Sequence, residues 1–207
     1  MPQNTEKRLK GKTVLVTGAA KRLGRAIALA AAQSGANIAI TYRSSAREAG
    51  HTVVDAASFG VRAYAFECDV TDETSIRAMM KATIAEFGRL DVLVNNAANY
   101  ETVRFDKITT RQWDAIFASN SRGPFLVSQA ALPHLRKTRG RIINMGSLGG
   151  VQAWATHAHY CSSKAAVHML TKAMAKALAP EISVNAIAPG MIDLGEKAAK
   201  PFMRRMA

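Results

Sequence analysis

Cysteine is scarce in this chain of 207 residues, and long apolar runs are missing from it. Its two cysteines, Cys68 and Cys161, cannot form a disulfide framework and have no metal-ligand spacing, which predicts a reducing, cytoplasmic location and no metal site. No apolar run reaches the roughly 20 residues of a membrane-spanning helix, so we expect no membrane partner. Residues 1–12 carry no apolar stretch after their charges, so we also expect no secretory signal.

Acidic residues are also few. Lys and Arg number 28 against 15 Asp and Glu, the net charge is +13, and no acidic residue stands between positions 115 and 180. Clustered cations bind nucleic acid by releasing counterions from its phosphates. The cations here are scattered, and no aromatic residues alternate with them to stack on bases, so we expect no nucleic-acid partner.

Short apolar runs alternate with helical stretches along the chain. Strands are predicted at residues 12–17, 37–42, 61–67, 90–97, 140–147 and 182–189. Helices are predicted at 22–34, 44–59, 109–135 and 158–178. A further helix is predicted after Asp72, whose carboxylate can cap its first turn. Pro124 should kink the 109–135 helix. Because the strands are apolar on both faces, the pattern predicts one Rossmann-type α/β domain over residues 1–207, a doubly wound parallel sheet flanked by helices.

Glycine and polar residues stand where the predicted strands end, which is where ligands bind in doubly wound sheets. They occur at 18–24, 42–44, 69, 95–100, 147 and 189–191. The first of these loops reads TGAAKRLG, and Arg22 stands between its two glycines where dinucleotide-binding loops often carry a further glycine.

Taken together, these pieces resemble the short-chain dehydrogenase/reductase family. The matching motifs, in family order over almost the whole chain, are TGAAKRLG, DV at 69–70, NNAA at 95–98, Asn120, Ser147, YCSSK at 160–164 and NAIAPG at 185–190. The resemblance implies an oxidoreductase with a small-molecule substrate and a homo-oligomer, by family expectation a tetramer. It also implies a substrate-covering segment, a helix and a seventh strand after the sixth strand, and we expect these to be missing from the given sequence.

Tyr160 and Lys164 are four residues apart on a predicted helix and therefore lie on one face. A neighbouring ammonium favours phenolate, so we expect Lys164 to lower the pKa of Tyr160, the proton donor in carbonyl reduction. The resemblance implies that Lys164 also holds the nicotinamide ribose and that Ser147 binds the reacting oxygen. It further implies that a backbone carbonyl beside Asn120 holds a water on the route from the lysine to solvent.

The end of the second strand predicts NADP(H) as the cofactor. Relatives that prefer NAD commonly carry an acid there, whereas this chain has Tyr42, Arg43 and Ser44, which can bind a 2′-phosphate. Lys21 and Arg22 add cations to the same pocket. The full set of expected cofactor residues is Gly18, Lys21, Arg22, Leu23, Gly24, Tyr42, Arg43, Ser44, Asp69, Val70, Asn96, Ala97, Tyr160, Lys164, Pro189, Gly190 and Ile192.

Three functions stay open, with carbonyl reduction the first. The loop and the RSS that follows the second strand resemble pteridine reductases, and Tyr100 stands where that branch has an aromatic ring against the pterin. That branch has aspartate at the position of Ser147, so pterin reduction comes second. A catalytically silent NADP(H)-binding redox sensor is the third, disfavoured by the intact Ser147, Tyr160 and Lys164. Substrate contacts are expected from Ser147, Tyr100, Leu148 and Trp154.

Other notable side chains have plainer interpretations. His157 and His159 lack a carboxylate or cysteine to complete a metal site and are predicted to be neighbouring loop histidines. His168 falls on the same helix face as Tyr160 and is predicted to be a packed core histidine. Cys161 is predicted to be a small buried residue.

Overall fold

The computed structural model describes residues 7–192. At its centre is a six-stranded parallel sheet with the order β3-β2-β1-β4-β5-β6. The strands are β1 (Thr13–Val16), β2 (Asn37–Tyr42), β3 (Ala63–Glu67), β4 (Val92–Asn95), β5 (Arg141–Met145) and β6 (Ser183–Ile187). The helices are α1 (Arg22–Gln33), α2 (Ala46–Ala57), α3 (Glu73–Phe87), α4 (Thr110–Phe117), α5 (Gly123–Thr138) and α6 (Ala158–Leu178).

The doubly wound parallel sheet predicted from the sequence is confirmed. Residues along each central strand alternate between two buried clusters, one on either side of the sheet. Leu15 belongs to the cluster that contains Met79 of α3, whereas Val14 and Val16 belong to the cluster that contains Ala28 of α1. The central strands are therefore apolar at nearly every position because both of their faces are covered.

The 109–135 helical region differs from its prediction. It consists of α4 and α5, which are separated by a π-helical turn at Ala118–Arg122. Pro124 lies in the first turn of α5, directly after the π-helical turn, and has no N–H to donate to a carbonyl of that turn. The break therefore precedes the proline, and α5 continues to Thr138 instead of ending at Leu135.

Two predictions fall wholly or partly outside the described residues. The seventh strand and its helices, which follow β6 in the family, were expected to be missing from the given sequence, and the residues after Ile192 lie outside those that the structure describes. The first six residues of the 1–12 segment also lie outside it.

A buried carboxylate ties β1 to β4 at the end of the sheet opposite the glycine loop. Asp91 is 4% exposed and accepts hydrogen bonds from Arg89 at 2.8 and 2.7 Å and from the Thr13 N–H at 2.9 Å. Burial alone would raise the pKa of the Asp91 carboxyl, but the bonds from Arg89 and Thr13 outweigh it and hold the pKa below its ordinary value. The charged form is therefore the one that stabilises the fold.

Asp91→Asn is expected to lower the free energy of unfolding by about 2 kcal/mol at pH 7, because Arg89 and the Thr13 amide lose their anionic acceptor. Because the folded-state pKa is depressed, this contribution is fully present above about pH 4 and is lost as the pH falls through the folded-state pKa. Urea unfolding of both proteins across pH 3–7 measures the difference. Asp55→Asn, in the exposed ion pair with Arg25, is the control and should cost under about 1 kcal/mol. A difference for Asp91→Asn that does not shrink in acid would contradict this account.

Candidate active site

The loop between β1 and α1 is pressed against the end of β4. A Cβ on Gly18 would lie 2.9 Å from the Cα of Ala97, and one on Gly24 would lie 2.5 Å from Nδ2 of Asn96. The Asn96 amide donates to the carbonyls of Thr17 and Gly18 at 2.9 and 3.0 Å. Both glycines are needed because neighbouring groups leave no space for a side chain.

Arg22 has a backbone φ of +55°, in the left-handed region that favours glycine. A residue with a Cβ occupies this region at a cost of roughly 1–2 kcal/mol. Arg22 therefore combines a backbone conformation that favours glycine with a guanidinium.

This loop opens onto a first cavity of about 380 Å³, here called the glycine-loop cavity. Its lining carries the cations Lys21, Arg22 and Arg43 and the carboxylate Asp69. Burial opposes the charge of Asp69, but hydrogen bonds from Thr71 outweigh it, and with Arg43 they lower the pKa of this carboxyl. The lining includes twelve of the predicted cofactor residues: Gly18, Lys21, Arg22, Leu23, Gly24, Tyr42, Arg43, Ser44, Asp69, Val70, Asn96 and Ala97.

A second cavity of about 880 Å³, here called the tyrosine cavity, adjoins the first. The two linings share Leu23, Asn96 and Ala98, so the cavities form neighbouring parts of one groove along the carboxyl ends of the strands. Among the described residues the lining of the tyrosine cavity contains no acid. It includes the remaining predicted cofactor and substrate residues: Tyr100, Ser147, Leu148, Trp154, Tyr160, Lys164, Pro189, Gly190 and Ile192.

Ser147, Tyr160 and Lys164 meet in this cavity because α6 packs on the end of β5. Ser147 directly follows that strand, is 5% exposed, and accepts a hydrogen bond from the Gly149 N–H at 3.1 Å. Tyr160, in the first turn of α6, lines the same cavity as Ser147. Lys164, one turn further on, donates to the carbonyl of Met145 at 2.7 Å, and its Nζ lies 5.9 Å from the centre of the Tyr160 ring.

The pKa of Tyr160 differs from the sequence-based expectation. Burial raises the pKa of the phenol, the hydrogen bond with Ser147 partly offsets this, and Tyr100 and Cys161 raise it further. Burial also lowers the pKa of Lys164 to about 8. The lysine ammonium is held by a backbone carbonyl instead of the phenol oxygen, so the protein alone keeps Tyr160 protonated near neutral pH.

Asn120 lies behind the cavity and not in its wall. It is fully buried in the π-helical turn, where its amide donates to the Asn99 carbonyl at 2.9 Å and to Ser163 Oγ at 3.1 Å. Its Oδ1 accepts from the Asn99 N–H at 2.7 Å. Asn120 therefore joins the segment after β4 to α6, and its role in holding a water stays a prediction.

Aromatic rings pack against the ring of Tyr160. The Tyr100 ring stands edge-on to Tyr160 with their centres 5.0 Å apart, and Trp154 lies parallel to Tyr160 at 6.3 Å. His157 stacks on Tyr100 at 5.0 Å, and its Nε2 lies 2.6 Å from the Tyr100 hydroxyl and 3.0 Å from Thr102 Oγ1. The sequence analysis missed His157 as part of this wall, because only the tertiary fold brings it to Tyr100.

The plainer predictions for the other side chains were partly wrong. His157 lies in the loop directly before α6, as predicted, whereas His159 lies in the first turn of that helix, and both are buried. His168 is half-buried, and its Nε2 accepts a hydrogen bond from the Ser147 N–H at 3.3 Å. Cys161 is likewise half-buried.

Two kinds of feature are missing from residues 7–192. The structure places no group of three or more His, Cys, Asp or Glu side chains where they could share a metal ion. No helix in this part of the chain has the length and apolarity that a bilayer crossing requires.

A doubly wound parallel sheet with a glycine loop and a Ser-Tyr-Lys group at its carboxyl edge defines a Rossmann-type domain of the oxidoreductase kind. The family model described as short chain dehydrogenase matches residues 12–201. The chain belongs to the short-chain dehydrogenase family, as the sequence motifs indicated.

Individual relatives cover most of the chain. It is 39% identical over 183 residues to the 3-oxoacyl-[acyl-carrier-protein] reductase FabG of Staphylococcus aureus strain Mu50, covering 87% of this chain and 74% of the relative. A putative short-chain alcohol dehydrogenase from Sinorhizobium meliloti 1021 has 32% identity and a TM-score of 0.91, over 97% of this chain and 82% of that one. The acetoin dehydrogenase YohF of Salmonella typhimurium has 37% identity and a TM-score of 0.83, over 90% of this chain and 77% of that one.

The close packing of the loop is tested by replacing glycines with alanine. Gly24→Ala is expected to lower the free energy of unfolding by about 2 kcal/mol, because its Cβ would meet the Gly18 carbonyl at 2.7 Å as well as Asn96. Gly50→Ala, in α2 with open space around it, should instead raise the free energy by up to about 1 kcal/mol. Urea unfolding measures both changes, and a stabilising Gly24→Ala would disprove the packing argument.

Proposed function

We propose that this protein is an NADP(H)-dependent oxidoreductase that reduces a carbonyl group to an alcohol. One observation carries the proposal: the hydroxyl-bearing residues Ser147 and Tyr160 line one cavity, and this cavity adjoins the glycine-loop cavity. A carbonyl oxygen placed between these two hydroxyls would meet two donors in a largely buried site.

The reaction uses Tyr160 as a general acid. When bound, a reduced nicotinamide supplies the hydride that forms the new C–H bond at the carbonyl carbon. The π pair of the carbonyl moves onto its oxygen, which takes the Tyr160 proton and becomes the alcohol, while Ser147 donates a hydrogen bond to that oxygen. The raised pKa keeps the phenol protonated at neutral pH, so the proton is in place before negative charge develops on the substrate oxygen.

Lys164 acts on the charge that the proton transfer leaves behind. Its pKa of about 8 leaves the side chain mostly cationic at neutral pH, and its position over the Tyr160 ring favours the phenolate formed in the reaction. The phenolate then regains a proton from solvent. We retain the prediction that the backbone beside Asn120 holds a water on this route.

The glycine-loop cavity has the features that the phosphates of a dinucleotide require. Gly18 and Gly24 let the loop pack against the end of β4, and Lys21, Arg22 and Arg43 supply positive charge to the cavity wall. Ser44, at the same end of the cavity wall as Arg43, offers a hydroxyl and no carboxylate that would repel a 2′-phosphate. These residues favour NADP(H) over NAD(H).

For the substrate, the proposal follows the named activities of the relatives. A 3-oxoacyl thioester and a small hydroxyketone both present a ketone, and Ser147 suits a ketone oxygen better than a ring nitrogen. Pterin reduction is the second candidate, because the Tyr100 ring is 55% exposed at the cavity and offers a planar ligand a surface. The family relation also supports a cytoplasmic homo-oligomer, by family expectation a tetramer, which light scattering would test.

The deciding experiment compares substrates under one set of conditions. NADPH oxidation is followed with acetoacetyl thioester, with acetoin and diacetyl, and with dihydrobiopterin, and each rate is repeated with NADH. We expect the highest kcat/KM with a ketone and NADPH. Equal or better efficiency with NADH would overturn the cofactor assignment, and turnover of dihydrobiopterin alone would favour the second candidate. Tight NADPH binding without turnover of any compound would instead indicate a redox sensor.

Tyr160→Phe tests the proton donor. Removing the hydroxyl is expected to lower kcat by about a thousandfold, because the developing alkoxide loses its general acid. The dissociation constant for NADPH, measured by fluorescence titration, should change little. Phe125→Leu, on the outer surface of α5, is a matched aromatic control that should keep the full rate. An unchanged kcat for Tyr160→Phe would exclude the mechanism.

Arg22→Gly tests the cationic loop. Glycine fits the left-handed backbone at this position, so the change removes the guanidinium without distorting the turn. We expect NADPH binding to weaken about tenfold and NADH binding to weaken less. Arg139→Gly is the control, because Arg139 has a φ of +48° at the end of α5, outside both cavities. A loss of NADH affinity as large as that of NADPH would mean that Arg22 does not select the cofactor.

A further inference from the structure

We propose that His168 is a positioning residue for the reaction, whose Nε2 holds the backbone of Ser147 so that the serine hydroxyl stays against Tyr160. The inference rests on the proposed function for its kinetic consequences, whereas the contact itself is independent of the substrate.

The contact depends on a glycine. Ser147 N–H donates to Nε2 of His168 at 3.3 Å, and a Cβ on Gly146 would overlap the His168 ring. Glycine at 146 therefore lets the imidazole reach the backbone of the next residue. The Ser147 amide belongs to a buried residue, and His168 is the partner that satisfies it.

The rest of the segment is held by β6 and by α6. The Gly146 N–H donates to the Ile187 carbonyl at 2.8 Å, on the β6 side. Tyr160, Lys164 and His168 follow one another at intervals of four residues on α6 and so share one face. Lys164 holds the Met145 carbonyl, His168 holds the Ser147 N–H, and Tyr160 lines the same cavity as Ser147. One helix face thus holds the backbone on either side of Gly146 and so positions Ser147 beside Tyr160.

Only one protonation state of His168 can make this contact. Nε2 must carry a lone pair to accept from an N–H, which requires the neutral Nδ1–H tautomer. Burial lowers the pKa of His168, and Lys164 and Lys172 lower it further. Those two lysines are the charged groups within residues 7–192 that act on the ring, and the backbone of Gly146 and Ser147 lies against it from the end of β5.

Protonation would therefore remove an acceptor and place a donor against the Ser147 amide. The contact is intact at neutral pH and is lost as the pH falls through the lowered pKa of His168. Loss of this contact should therefore lower kcat at acid pH. Tyr160 is a proton donor and stays protonated in acid, so its own titration would not lower kcat there.

The kinetic test uses three variants of the full chain, assayed with the best ketone and NADPH. His168→Leu removes the acceptor and should lower kcat about tenfold with the KM for NADPH unchanged. His168→Gln keeps a non-titrating acceptor and should recover kcat to within about threefold while the acid limb moves to lower pH or disappears. Lys172→Met should leave kcat at neutral pH unchanged and move the acid limb to higher pH, because a cation next to His168 is lost.

Thermal unfolding of each variant separates this role from a general loss of structure. The proposal is overturned if His168→Leu keeps the wild-type kcat and pH profile, or if the folded His168→Gln protein is as impaired as His168→Leu. A merely structural histidine would change stability without moving the acid limb.

A second measurement keeps the inference testable should no carbonyl compound be turned over. Long-range ¹H–¹⁵N correlation spectra of the ligand-free protein should show His168 as the Nδ1–H tautomer at pH 7. The Ser147 amide shift should titrate together with His168 in the wild type and stay constant in His168→Gln. An Nε2–H tautomer, or a Ser147 amide shift that stays constant while His168 titrates, would overturn the contact whatever the substrate.

Discussion

The parallel pairing of β1 with β4 is the constraint on which the rest of the site depends. Val14, Leu15 and Val16 pair with Val92, Leu93 and Val94, so the loop that follows β1 lies beside the segment that follows β4. The Thr17 hydroxyl accepts hydrogen bonds from the backbone N–H groups of Asn96 and Ala97, both at 3.0 Å, and these bonds hold the two segments together. The sheet order reverses direction between these strands, and the groove opens at this point.

Burial then sets the chemistry along the groove. Near the glycine loop, exposed cations and the ionised carboxylate of Asp69 give the cavity a polar lining. Near Tyr160, aromatic rings and buried backbone remove water, which raises the pKa of the phenol and lowers that of Lys164. The same packing supplies directed hydrogen bonds to Ser147, so desolvation and positioning have a common origin in the contact between α6 and the end of β5.

Sequence reasoning predicted the elements that local physics governs. Strands such as Asn37–Tyr42 are short apolar runs, and the α6 boundaries were predicted to the residue, because periodicity and capping are local signals. It misplaced the break between α4 and α5, where Pro124 was expected to kink the helix and a π-helical turn lies before it. That turn is supported by contacts of Asn120 with Asn99 and with Ser163, which are 21 and 43 residues away in the chain.

The motif residues could likewise be located by sequence, but their electrostatics could not. The spacing places Tyr160 and Lys164 on one helix face and predicts a lowered pKa for the phenol. In the structure, burial raises the pKa of Tyr160, and the Met145 carbonyl holds the Lys164 ammonium. The sequence drew attention to His157 and placed His168 on the Tyr160 face, but it gave no sign of their contacts, because each acts through a partner that lies far away along the chain. The sequence by itself determined the layers of the fold, the family and the glycine loop, since these follow from local pattern and residue type. The tertiary structure decided which groups are desolvated and which atoms they meet, because both depend on contacts between distant segments.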